Sequence, residues 1–226
     1  MTSSVYNYVN DAKVWLPMTS ACHDPVNVRT LDVSKNKLNY RFGDGALSGS
    51  FPTKLSGQRG YFNDTVNKYL EALANQTDAI TQGTWAVFFR LDDWVTNQHL
   101  VSHYDALGNC RCIVQIVANI ARFYCGDVAN PVGLTVNLRG NNVLLAGYRT
   151  TDGYRRLYVN GLIATPVNAG VSLPGAPTTN PRIFNNYVLT TACYAKVFWY
   201  GHWEYALSEL QLRDLEARLR RQLNDV

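Results

Sequence analysis

The 226-residue chain has no run of about 20 apolar residues, so no helix of it is expected to cross a bilayer. Its first residues, Met1-Thr2-Ser3-Ser4-Val5-Tyr6-Asn7-Tyr8, offer neither a basic start nor a long apolar stretch, and no secretory leader is read there. Two methionines against 14 tyrosines and 5 tryptophans argue against a helix bundle and for strands. Charged residues are scarce, at 17%. The net charge of +4 is spread along the chain and densest at Arg218, Arg220 and Arg221, where a solvated helix face accounts for it. Charge of that size implies no nucleic-acid partner.

Motifs of catalysis are missing as well. There is no Gly-x-Ser-x-Gly, no phosphate-cradling glycine loop and no metal-protease helix. The five cysteines (Cys22, Cys110, Cys112, Cys125, Cys193) are an odd set without a CxxC, and no metal-spaced histidine pair accompanies Cys110-x-Cys112. Reduced, mostly buried thiols are expected rather than a zinc site. The spacing of His99 and His103 would set both on one helical face, yet their neighbours read as strand and turn, so they are not expected to pair on a metal. His23 and His202 stand alone.

What is present is a β pattern. Hydrophobic residues, at 46%, can fill a sizeable core. The plainest stretch is Tyr154 to Ala164, where two apolar runs meet at Asn160-Gly161. That dipeptide suits a two-residue turn with both central residues at positive φ, so the runs should pair as an antiparallel hairpin, Leu157 and Val159 facing one way and Arg156 and Tyr158 the other. Thr84 to Leu91 reads as a strand apolar on both faces, which belongs in mid-sheet with its second face covered by loops, a helix or another subunit. Further strands are expected at Ile113 to Ala118, Ile120 to Cys125 and Val143 to Tyr148, and an early one carries Val14 and Leu16 opposite Trp15. Residues 21 to 53 read as long loops and brief strands. Near Lys68 to Glu71 a strand is favoured over a helix. Ala195 to Glu204 is read as one unbroken alternation, Ala195, Val197, Trp199, Gly201 and Trp203 against Lys196, Phe198, Tyr200, His202 and Glu204.

The period changes at the C-terminus. Ser208 and Gln211 form a capping box, with Leu207 and Leu212 as its hydrophobic staple. The helix is expected over 209–223, with Leu212, Leu215, Leu219 and Leu223 as its apolar stripe and Glu209/Arg213, Asp214/Arg218 and Glu216/Arg220 as i,i+4 pairs. At that length it must dock on the sandwich or on a neighbouring copy, which makes the four leucines a candidate docking or oligomer face.

The Leu157-Tyr158-Val159-Asn160-Gly161 hairpin, the later Arg182-Ile183 and the aromatic strand closing on Tyr205-Ala206-Leu207-Ser208-Glu209-Leu210 together resemble the concanavalin A-like, laminin-G-like jelly-roll superfamily. Asp11 to Pro17 and Ser56 to Phe62 sit where that family begins its first strands, so the resemblance spans nearly the whole chain. Pattern and resemblance agree on an all-β fold, an antiparallel β-sandwich of jelly-roll type with a C-terminal α-helix, formed by residues 1–226 as a single domain. Jelly-roll glycosidases carry a Glu-x-Asp-x-Glu strand, whose alternate carboxylates flank one glycosidic bond. No such triplet occurs and Glu204 is isolated, so no catalytic residue is assigned and the chain is not expected to be an enzyme.

Compact proteins of this kind resemble those of bacteriophage particles. That resemblance implies a non-enzymatic virion protein, a capsid decoration or tail-associated component assembled in the host cytoplasm, with other virion proteins and copies of itself as partners. The doubly apolar strands and the amphipathic helix motivate assembly. The alternative is a glycan-binding, lectin-like receptor-binding module. Its most site-like loop is Asp92-Asp93-Trp94, where two carboxylates could hold calcium and the indole could stack on a sugar; a capped turn with a half-buried tryptophan explains the same residues more plainly. Asp105 and Asp152-Gly153 are read with the same caution. No other cofactor is implied.

Overall fold

A computed structural model describes residues 7–43, 52–55, 60–63, 68–74, 81–91, 97–126, 130–168, 177–186 and 193–224, and of Leu223 and Asn224 the backbone alone. A short helix α1 (Tyr8–Asp11) precedes the strands β1 (Val14–Leu16), β2 (His23–Asp24), β3 (Arg29–Thr30), β4 (Tyr40–Phe42), β5 (Thr53–Lys54) and β6 (Tyr61–Phe62). Next come β7 (Leu70–Ala72), β8 (Gly83–Arg90), β9 (Asn97–Tyr104), β10 (Cys110–Val117), β11 (Ile120–Tyr124) and β12 (Val132–Thr135). The rest are β13 (Asn142–Arg149), β14 (Tyr154–Val159), β15 (Leu162–Ile163), β16 (Val167–Asn168), β17 (Arg182–Ile183) and β18 (Lys196–Trp203), followed by α2 (Glu209–Asn224).

Among the described residues these strands form two nine-stranded antiparallel sheets. The first runs β15-β14-β13-β8-β18-β6-β5, with β1 on β18 and β16 on β14; the second runs β12-β11-β10-β9-β17-β7-β4-β3-β2. Their inner faces meet in one core, to which the first sheet gives Val87, Phe89, Leu145, Leu157 and Val159, and the second Leu70, Val114, Ile116, Phe123 and Ile183. The expected all-β sandwich with a terminal helix is the observed architecture.

Local signals hold where they are strong. Asn160 and Gly161 sit at φ 47° and 83° and join β14 to β15 in the register Val159↔Leu162. The Asn160 side chain also accepts from the Leu144 backbone N–H at 2.8 Å, tying the turn to β13. Ser208 and Gln211 make the reciprocal cap, the Ser208 N–H donating to Gln211 Oε1 at 2.9 Å and the Gln211 N–H to Ser208 Oγ at 3.3 Å. All three i,i+4 ion pairs of α2 form.

The second apolar face of β8 is covered by α2 of the same chain. Leu212, Leu215 and Leu219 are buried against Ala86, Phe88, Leu144, Ala146 and Tyr158. The Leu223 side chain lies outside the described residues. The arginine cluster of α2 is less solvated than expected: Arg218 stacks over Tyr8 and Arg220 over Phe88, leaving Arg221 as the exposed one of these three.

Alternation fails in β18. Its register against β8 shifts between Val197 and Trp199, a bulge that inserts one residue and reverses the phase. Val197 and Tyr200 therefore face the inter-sheet core, while Phe198, Trp199 and Trp203 lie under α2. Parity also carries Arg155 inward with Leu157 and Val159. It lies directly opposite Arg149, and both are fully buried.

Candidate functional site

The outer faces of the two sheets differ in kind. That of the first is apolar and sealed by α2. The second sheet turns its core residues inward, so the residues between them build an outer face of polar and aromatic side chains. One cross-strand row runs Arg41, Glu71, Arg182, Ser102, Ile113, Tyr124 from β4 to β11. Beside it lies a second row, His99, Gln115 and Arg122.

Short contacts order this face. The Glu71 carboxylate is buried between two guanidiniums, accepting from Arg41 Nε at 2.9 Å and Arg182 Nε at 3.0 Å, and Arg182 lies over the Tyr69 ring at 4.8 Å. A carboxylate held this way ties three strands of the face together. Gln115 donates to the Tyr124 hydroxyl at 2.7 Å. His99 packs its ring against Tyr104 at 6.1 Å, and its buried Nδ1 has no hydrogen-bond partner among the described residues. Burial removes water from the imidazole and pushes its pKa down to about 4, so it is neutral at physiological pH. Tyr104, Arg122, Arg41 and Arg182 are the partly exposed members of the face.

Two other surfaces carry chemistry. A groove of about 430 Å³ lies between α1 and α2, with Tyr8, Val9, Trp15, Leu215 and Leu219 as its apolar walls and Asn7, Arg218 and Gln222 at its rim. Tyr8 and Arg218 are already spent on each other and on Asp214. At the margin where β2 and β4 of one sheet approach β5 and β6 of the other, His23, Phe42, Tyr61 and Lys54 cluster.

Asp92, Asp93 and Trp94 lie outside the described residues, between the end of β8 and the start of β9. His99 and His103 fall on opposite faces of β9 and do not converge: Gln115, the partner of His99, faces out, and Cys112, the partner of His103, faces the core. Cys110 packs on the outer face with Ile113 and Tyr124 and Cys112 in the core, and all five thiols are free and buried. Glu204 is exposed and pairs with Lys13 at 2.9 Å. Asp105 and Asp152 cap their own turns. Sequence reading passed over the polar face. Its only trace was the polar phase of β10 and β11, Gln115 and Arg122 set between apolar neighbours.

No family model and no curated protein matches the chain. Solved structures do. The binding domain of botulinum neurotoxin serotype G matches with a TM-score of 0.69 at 13% identity, over 93% of this chain and 51% of that one. The serotype D ligand-binding domain in complex with N-acetylneuraminic acid matches with a TM-score of 0.65 at 10% identity, over 92% and 51%. The binding domain of botulinum neurotoxin DC in complex with rat synaptotagmin II matches with a TM-score of 0.61 at 9% identity, over 92% and 52%. The chain thus shares a lectin-like β-sandwich fold with these binding domains and spans about half of their length.

Proposed function

We propose that the chain is a non-enzymatic glycan-binding module whose ligand lies on the outer face of the second sheet. The observation that carries this reading is the contrast between the two outer faces, one closed by α2 and the other presenting partly exposed Tyr104, Arg122, Arg41 and Arg182 around a buried, ordered field of His99, Gln115, Tyr124 and Glu71. Sugar recognition needs that mixture: ring faces to cover the apolar side of a pyranose, and fixed donors and acceptors for its hydroxyls. The Arg–Glu–Arg bridge and the Gln115–Tyr124 bond hold the field in place before a ligand arrives, which lowers the cost of binding. N-acetylneuraminic acid, named with the serotype D domain, supports the ligand class by analogy of fold.

The virion setting keeps only its resemblance as motivation. The apolar faces that invited assembly are occupied inside the chain, so they no longer call for a second copy or a capsid surface. A protein receptor, as named for the DC domain, is the other analogy the fold offers.

A glycan array followed by titration tests the reading. Tyr104→Ala removes a partly exposed ring from the face and should weaken binding at least about tenfold, the scale of 1.4 kcal/mol. Absence of signal on every glycan, or a signal indifferent to Tyr104→Ala and Arg122→Ala, sinks it.

A further inference from the structure

The half-exposed cluster at the sandwich margin points to a second binding feature. Tyr61 is buried, and its hydroxyl lies 2.9 Å from His23 Nδ1. In the tautomer in which the phenol donates to Nδ1, Nε2 is the protonated nitrogen, and that is the form the site requires. The His23 ring is wedged between Phe42 and Tyr61, at 5.2 and 5.8 Å, so it is held in place. Lys54 stands over the same Tyr61 ring with Nζ 5.6 Å from its centre. Two donors, one cationic, thus border the buried Tyr61 ring, and Lys54 Nζ also donates to the Leu55 carbonyl at 3.4 Å.

Among the described residues the acid beside His23 is Asp24, its neighbour in β2. Its carboxylate accepts from the Asn27 side chain at 2.8 Å and from Arg29 Nε at 3.0 Å, so it is committed to its own hairpin. Burial first, then the Lys54 charge, lowers the His23 pKa, and the Asp24 charge opposes them. Lys54 is lowered too, by loss of water.

We propose that His23 Nε2–H and Lys54 Nζ hold the carboxylate of an acidic sugar at this margin, with the buried Tyr61 and Phe42 rings fixing the imidazole in place. The identity of the ligand rests on the glycan-binding reading; the carboxylate site does not. A bound anion must raise the His23 pKa, and by linkage protonated His23 must bind it more tightly.

Proton NMR of the whole chain supplies the test. The other three histidines are buried and pushed down to about 4, 3 and 3, whereas His23 is lowered but partly exposed, so the imidazole signal that titrates above theirs is that of His23. Glucuronate at tens of millimolar should raise its midpoint by roughly half a unit or more, equal to about threefold tighter binding by the protonated form. Glucose should not move it. Acetate should act in the same direction but more weakly. In Lys54→Gln, a half-exposed position, the response should vanish while His23 still titrates.

No shift with either carboxylate overturns the site, as does a shift reproduced by sodium chloride at matched ionic strength or one that survives Lys54→Gln. Acetate acting as strongly as glucuronate overturns the sugar assignment alone and leaves the anion site standing. Failure of the glycan array leaves this titration unaffected.

Discussion

Lowering the pH from 7 to 5 should cost this fold a large part of its stability, through three buried histidines. His99, on the outer face of the second sheet, is pushed down to about 4 by desolvation. His103 is pushed to about 3 by burial and then by Arg111, with Asp105 opposing. His202, stacked on Trp85 at 5.0 Å and with neither ring nitrogen hydrogen-bonded among the described residues, is pushed to about 3 by burial, His103, Lys13 and Arg111. A histidine whose folded pKa lies below its unfolded value holds fewer protons when folded. Its contribution is present above about pH 6.5, is lost as pH falls through that value, and the loss saturates only below the folded pKa. At pH 5 each unfolded imidazole is protonated and each folded one is still neutral, which costs about 2 kcal/mol per site and roughly 6 kcal/mol for three. Against a typical total of about 5–15 kcal/mol, that loss is visible in any melt. Urea denaturation at pH 7 and 5 should show the midpoint falling steeply with an unchanged slope. His202→Phe, which keeps an aromatic ring on Trp85, should remove about a third of the pH dependence. A midpoint flat across this range, or a dependence untouched in His202→Phe, refutes the reasoning.

Two further outcomes follow from packing. Leu215→Ala opens a hole between α2 and β8, whose residues Leu215 and Phe88 are both fully buried, and should cost about 2–5 kcal/mol in urea unfolding; a loss under about 1 kcal/mol would mean that α2 does not seal the sheet. Gly147→Ala would set a methyl 2.0 Å from the Phe123 ring across the inter-sheet core, costing about 1–3 kcal/mol or more. Phe123→Leu in the same chain should recover part of that loss, and no recovery would place the strain elsewhere.

Much of the fold was legible because its signals are local. The Asn160-Gly161 turn needs only two residues tolerant of positive φ, and the α2 cap needs only Ser208 and Gln211 one turn apart. Thr84 to Leu91 announced a doubly covered strand because nothing polar interrupts it until Arg90. What covers that strand was not legible: a helix of the same chain and a second copy present identical apolar demands, and the choice rests on the approach of residues far apart in sequence. The β18 bulge was hidden for a similar reason, since an extra residue is recognised only against the register of the partner strand. Asp92 to Trp94 stood out by composition and lies outside the described residues, whereas the candidate face is assembled across strands from β4 to β11.

The sequence by itself determined the strands, their turns, the terminal helix and the lack of a carboxylate triplet for glycoside hydrolysis, because each depends on neighbours within a few residues. Tertiary structure alone decided which sheet face the helix seals and which distant side chains meet. Pairing distant strands set Glu71 between Arg41 and Arg182, placed His99 beside Gln115 and brought His23 against Tyr61 and Lys54. Those juxtapositions depend on sheet order and register, which emerge only when two amphipathic sheets and one helix bury their apolar sides together.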